Sequence, residues 1–376
     1  MSPKCLAVAV LLAVCVPSNP VAGMVWTTQN VDSGGGEFAS LALDLAGNPH
    51  MTYQSAQGDH YLCYAAYDGT SWSTETIEPG GRRTSLAIDS NGVEHISHST
   101  DSLAPPYTTV LRYVTRAAGS WQGEDVGPGG STSIALDAAG HPCIAHGYSE
   151  VGLRYSVWHG ASWSTQSVDL DGTDDISLAL TDDDRPCIAY RSRFGANLKY
   201  ANWVGDVSGW SFRTLDTSSV SDPSLALDSN GYPHIAYYCG VVSDLKYAYW
   251  DGSDWQFTTV AAEGVTGSSP SLVLDDNDNP HIAYWDDAGD RPNTLAYASF
   301  DGSSWAYETV ALQEGPPQYG ISLALGENGA VHIAYGESWA LKYAYGVPEP
   351  ATLSLLVLGG ALALRCGRRR GARRSA

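Results

Sequence analysis

The sequence predicts an all-β fold, a seven-bladed β-propeller closed by its own N-terminal strand. Three observations carry that expectation. A stretch such as "SLALDSNGYPHIAYY" (224–238) recurs seven times, its first serine falling at Ser40, Ser85, Ser133, Ser177, Ser224, Ser271 and Ser322, spaced 44–51 residues apart. Within each unit the apolar residues alternate with a period of two, and turn signals separate four short runs. Finally, the two ends of the repeat region are incomplete in complementary ways.

In the unit that starts at Ser224, "SLALD" sets Leu225 and Leu227 on one side, and Ser229-Asn230-Gly231 supplies the first turn. "HIAYY" is the second strand and "LKYAYW", with Leu245, Tyr247 and Tyr249 on one face, the third. Asp251-Gly252-Ser253 then turns the chain into "WQFTTV". Fourth strands begin at Trp26, Trp72, Trp121, Trp163, Trp210, Trp255 and Trp305, each followed five residues later by Val, Ile or Leu. The first of these, "WTTQNV", has no three strands before it, and "LKYAYG" (341–346) has no fourth strand after it. Joined, they make one blade and leave no open sheet edge. A solenoid would need polar capping units instead, and none is visible. With 22 Tyr, 12 Trp and 40 Gly against only 16% charged residues, the composition suits short strands and tight turns. Residues 24–346 hold 40 acidic against 13 basic residues, a net of −27, which repels nucleic acid and anionic lipid.

The ends of the chain are different material. Residues 1–23 carry Lys4, an apolar run from Cys5 to Val16 and small residues near Gly23, the pattern of a secretory signal peptide. A lipid anchor at Cys15 fits less well, because Val14 is bulky where a small residue is wanted. Residues 351–364 are uncharged and followed by six arginines, so a short membrane segment with its tail in the cytoplasm is expected, everything before it lying outside. Val347-Pro348-Glu349-Pro350, this segment and the Arg-rich end together resemble the PEP-CTERM sorting signal, over residues 347–376. That resemblance implies an exosortase-type partner in a Gram-negative envelope, transient residence in the inner membrane and processing near Pro350. The expected address is the cell envelope or exterior.

Symmetry separates scaffold from function. The column His50, His95, Cys143, Cys187, His234, His281 and His332 invites a zinc reading, yet equivalent positions in a ring diverge instead of converging on one ion. Buried imidazoles bonded to a neighbouring strand, replaceable by Cys, are the better expectation. Cys143 and His146 of "HPCIAH" face opposite ways on a strand, and the cysteines at 63, 143, 187 and 239 fall in different blades, so free buried thiols are expected. Asp169, Asp171, Asp174 and Asp175 of "DLDGTDD" suit a calcium site, the one cofactor the sequence leaves open, but lack the bidentate Glu of an EF-hand loop, which favours a solvated turn. "YWDGSDW" (249–255) resembles the Asp-box hairpin of sialidase-like propellers, one residue shorter than that pattern, and implies scaffold.

Function is expected where the repeats disagree, in the loops between second and third strands and between blades. These would bring Tyr107, Arg191, Arg193, Phe194, Trp285, Asp286, Asp287, Arg291 and Tyr319 to one rim, where aromatic faces beside charged groups suit a hydroxyl-rich ligand. The leading reading is a secreted binding module for extracellular polysaccharide or a matrix protein. The alternatives are a glycoside-processing enzyme, hydrolase or lyase, and a purely structural protein–protein platform. An enzyme would need a central cluster of acid, base and several Arg, such as carboxylates about 5–9.5 Å apart. Asp286 and Asp287 are merely adjacent, so no catalytic residue is assigned.

Overall fold

The computed structural model describes residues 23–349 except 57–59, 102–108, 118, 149, 288–292 and 314–316. It contains seven antiparallel four-stranded sheets, six of them wound in chain order from an inner to an outer strand. Blades 1 to 6 run from Gly35 to Leu312, and blade 7 from Pro317 to Pro348. The outer strand of blade 7 is Met24–Asp32, paired antiparallel with Ala340–Pro348 from Met24 opposite Pro348 to Asp32 opposite Leu341. The expected closure is therefore the observed one. The pairing runs two residues past the expected boundary: Val347 and Pro348 belong to the propeller, opposite Val25 and Met24. The expected signal peptide, the membrane segment and the arginine tail lie outside the described residues. Among the described residues no helix is long and apolar enough to cross a membrane.

Two rings of contacts join the blades. In the first, every repeat serine accepts, through its Oγ, the backbone N–H one residue past the equivalent serine of the next blade. Leu86 donates to Ser40, Ile134 to Ser85, Leu178 to Ser133 and Leu225 to Ser177. Leu272 donates to Ser224, Leu323 to Ser271 and, closing the circle, Leu41 to Ser322, all at 2.9–3.1 Å. An inner strand is a sheet edge, and its outward N–H groups would otherwise go unpaired.

The second ring is aromatic. Each fourth-strand Trp meets, edge to face, a third-strand Tyr of the preceding blade, from Trp121 on Tyr64 at 5.1 Å to Trp305 on Tyr247 at 5.8 Å. The closing strand takes part through Trp26 on Tyr297 at 5.3 Å. The same tyrosines hold the histidine column: His95 and His332 bond Tyr113 and Tyr343 at 2.7 Å, and His50, His234 and His281 bond Tyr64, Tyr247 and Tyr297. Burial lowers the affinity of His95, His234, His281 and His332 for protons, holding His332 near 4, so these four sit neutral in the scaffold. Cys143 and Cys187 keep the arrangement, facing Tyr155 and Tyr200. All four described cysteines are buried free thiols.

The closing strand is also stitched sideways. Met24 N and Trp26 Nε1 donate to Glu308 of blade 6 at 3.1 and 2.8 Å, and Asp32 accepts the Tyr53 hydroxyl of blade 1 at 2.5 Å. Deleting residues 24–31 should expose the Ala340–Pro348 edge and uncover Tyr297. The expected outcome is loss of a single cooperative melting transition, or aggregation on expression. A deletion variant that melts like the parent would remove the closure from the account.

Candidate functional site: the channel mouth and its side groove

Two residues before each repeat serine the inner strands carry Phe38, Arg83, Ser131, Asp175, Asp222, Ser269 and Gly320, one per blade. All seven line a single central cavity of about 570 Å³. Six of them have left-handed backbone, with φ of 54° at Phe38 and Arg83, 50° at Asp175 and Ser269, 51° at Asp222 and 95° at Gly320. In those six blades the register with the second strand slips at this point, and in blade 3 it does not. A bulge in each inner strand therefore places this residue at the channel mouth. For the five that are not glycine it costs about 1–2 kcal/mol each, the sort of strain that collects at functional sites.

The charged members form one connected cluster. Arg83 Nη1 pairs with Asp174 at 2.9 Å and also reaches Ser131 Oγ, which accepts the Asp175 N–H at 3.3 Å. Arg191 stands 3.9 Å from Asp175, and its Nε is buried without a hydrogen bond. Burial, with the Asp222 carboxylate beside it, pushes the Asp175 carboxyl up to about 6, and burial pushes Asp222 upward too. The central grouping of carboxylates and arginines that the sequence did not reveal is present.

Phe38, Arg83 and Asp174 also line a side groove of about 390 Å³, together with Glu37, Gln54, His60, Arg82, Ser99 and Tyr148. Gln54 is 1% exposed, yet its Nε2 has no partner; His60 Nδ1 is likewise buried and unbonded. Buried donors without partners are rare, and these border a cavity. Channel mouth and groove make one cleft on the face that carries the turns between second and third strands.

The residues expected at the rim divide. Arg191 adjoins this cleft, 3.9 Å from Asp175, without lining either cavity. Arg193 and Phe194 sit at the turn beyond Ser192, with the Arg193 guanidinium 5.3 Å from the Phe194 ring and Phe194 70% exposed. Trp285 is a correction: it is 2% exposed, lies within the strand Pro280–Asp287 and packs edge to face on Tyr335 of blade 7 at 5.8 Å. The strand continues past the repeated motif, so a residue expected in a loop became core. Asp286 and Asp287 end that strand, opposite Thr266 and Val265. Tyr107 and Arg291 lie outside the described residues, as does the Tyr319 side chain. The four aspartates weighed for calcium are dispersed. Asp169 takes Lys199 at 2.5 Å and Tyr190 at 2.6 Å, and Asp171 takes the Phe194 N–H at 3.1 Å, whereas Asp174 and Asp175 belong to the channel cluster. No group of three or more metal-ligating side chains is placed to hold an ion among the described residues.

No protein-family model matches the chain, and no curated protein matches it. Solved structures do. An ulvan lyase of a polysaccharide lyase family, bound to a GlcA–Rha3S saccharide, superposes with a TM-score of 0.61 at 15% identity, over 85% of this chain and 95% of that one. A Dyadobacter fermentans protein of unknown function gives 0.50 at 12% identity, over 72% of this chain and 98% of that one. A variant of Aleuria aurantia lectin, in complex with a fucosylated GlcNAc, gives 0.48 at 14% identity, over 69% and 90%. At these identities the fold is what is shared.

The division between core and rim has a direct test. Trp285→Ala should cost about 3–5 kcal/mol of stability, as for other buried Trp residues. Phe194→Ala should stay within about 0.5 kcal/mol. Denaturant melts of the two variants decide it, and equal losses would contradict the burial of Trp285.

Proposed function

We propose that the propeller binds an acidic polysaccharide in the cleft formed by the channel mouth and the side groove. The observation that carries this reading is the cleft's own chemistry. Arg82 and Arg83 line it and Arg191 adjoins it, on a domain whose net charge is −27, beside the unpartnered amide nitrogen of Gln54 and the Nδ1 of His60. A uronate offers a further carboxylate to guanidinium groups that already pair with Asp174 and Asp175, and hydroxyls for the amide and imidazole. Phe38 supplies an apolar face between the two cavities. The glucuronate-containing saccharide held by the ulvan lyase neighbour belongs to the same chemical class.

A second reading is cleavage of that glycan by β-elimination, favoured by Tyr148, His60 and Arg82 lining one groove. Arg82 would neutralise the uronate carboxylate and acidify the C5–H, His60 would take that proton, and the C4–O4 bond would break as the C4–C5 double bond forms, with Tyr148 giving its proton to the departing O4. The unsaturated uronate product absorbs in the ultraviolet, so one incubation separates binding from cleavage.

Calorimetric titration with a polyuronate, and with a neutral glucan as control, tests the binding. Arg82→Ala combined with Arg83→Ala should weaken polyuronate binding at least tenfold, since charge-assisted bonds contribute about 1.5–3 kcal/mol each. The pH dependence has a definite sign. As pH falls through about 6, Asp175 takes a proton and one negative charge leaves a mouth shared with Asp174, Asp222, Arg83 and Arg191. Affinity should therefore rise between roughly pH 7 and pH 5, where the ligand's own carboxylates stay ionised, and Asp175→Asn should flatten that rise. Equal affinity for the neutral glucan, or an unaffected arginine variant, would refute the reading.

We also place the protein's work outside the cytoplasm, on the strength of residues 1–23 and 347–376 as sequence. Cleavage after Gly23 would leave the α-ammonium of Met24 3.1 Å from the Glu308 carboxylate, favourable for the closing strand. Replacing Glu349 and Pro350 with alanine leaves the paired Pro348 intact and should retain the protein in the membrane fraction. Release equal to that of the parent would contradict the sorting reading.

A further inference from the structure

On the opposite face, where the turns join first to second and third to fourth strands, blade 4 breaks the scaffold rule. In blades 1, 2, 5 and 6 an Asp–imidazole pair fills the space behind the first turn, as where Asp228 Oδ2 lies 3.9 Å from His234 Nε2 and Asp275 lies 3.6 Å from His281; blade 3 keeps only Asp137 and blade 7 only His332. In blade 4 both members are replaced by smaller residues, Thr181 for the Asp and Cys187 for the His. A pocket of about 550 Å³ reaches down to exactly those two residues and to Tyr200, the tyrosine an imidazole would have bonded.

The pocket's walls are aromatic, formed by Trp203, Phe212, Tyr232, Trp250 and Trp255. Tyr232 is 36% and Phe212 47% exposed, so the pocket opens to solvent on their side. Its polar groups lie on the same lining: Asn202, Arg213, and Asp183 with Arg185, whose charges are spent on each other at 2.7 Å. Flat apolar walls, hydrogen-bonding groups at intervals and no uncompensated anion-binding cluster describe a site for a ring that has one apolar face and a hydroxylated edge.

We propose that this pocket is a second saccharide site, taking a neutral pyranose ring stacked on the aromatic wall between blades 4 and 5. It is independent of the acidic-glycan cleft: it lies on the other face and shares no residue with it. Stacking places the apolar C–H face of the ring against an indole or phenyl face, and the ring hydroxyls then meet Asn202 and Arg213. The free thiol of Cys187 is not a reactive group here; burial raises its pKa and leaves it a small hydrophobe.

Saturation-transfer NMR and intrinsic Trp fluorescence, with the methyl α-pyranosides of glucose, mannose, galactose and fucose as probes, test the proposal on the intact protein. At least one probe should bind and shift the Trp emission. Cys187→His should restore the imidazole, fill the base of the pocket, raise the melting temperature through the bond to Tyr200 and weaken the probe at least tenfold. Phe212→Ala, an exposed change that leaves the scaffold alone, should weaken it at least threefold. Polyuronate titration of the same samples reports on the other face and should not change in either variant. Failure of all four probes to bind the parent, or undiminished binding in both Cys187→His and Phe212→Ala, overturns the proposal whatever the polyuronate result.

Discussion

The structure depends on one hydrogen bond made seven times. A serine hydroxyl on each inner strand accepts the N–H of the next blade's inner strand, and the last serine, Ser322, returns the series to Leu41. Each bond contributes only about 1 kcal/mol net, but the set fixes the spacing and tilt of neighbouring inner strands around the channel. Serine suits the position because a longer side chain would push the strands apart and an apolar one would leave a buried N–H unpaired. A closed ring also makes the closing strand indispensable, since the seventh interface has no other source of an outer strand.

That constraint divides the repeat into two kinds of position. Columns with one residue type throughout, such as the repeat serine and the fourth-strand Trp, are interface parts. The column two residues before the serine holds its geometry in six of the seven blades and carries five different residue types, from Phe38 and Arg83 through Asp222 to Gly320. A fixed frame with variable side chains is how a symmetric scaffold acquires an asymmetric site. The blade 4 pocket arises in the complementary way, by loss of a scaffold pair where Thr181 and Cys187 stand.

The number of blades, the closure and the scaffold role of the histidines were legible in the sequence because each rests on residues that recur. The channel ring was not. It precedes the recognisable motif, and the bulge at residues such as Asp222 breaks the period-two pattern by which strands are read. Arg191 was singled out as a loop residue, whereas the second strand Pro186–Ser192 carries it toward the channel. Trp285 failed for the same reason in reverse, because its strand outlasts the motif and turns an expected rim aromatic into core. Asp174 and Asp175 read as part of a solvated turn with Asp169 and Asp171; sequence adjacency could not show that Arg83, from two blades away, would pair with Asp174.

The energetics join these observations. Five non-glycine residues held in left-handed backbone cost about 1–2 kcal/mol apiece, which is the same order as the seven serine bonds one turn deeper along the same strands. The ring of bonds is thus of the right size to offset the strain of the mouth, and blade 3, whose inner strand has no bulge, keeps its serine bond as well. Relaxing a bulge at Arg83 or Asp175 would slip that inner strand by a residue, turn its alternating side chains over and misalign the serine beneath it. The repeat is uniform below the bulge because it must be, and free above it because the bulge isolates each side chain from the register. That isolation allows one sector of the mouth to carry paired carboxylates and arginines while the sector formed by Ser269, Gly320 and Phe38 stays uncharged.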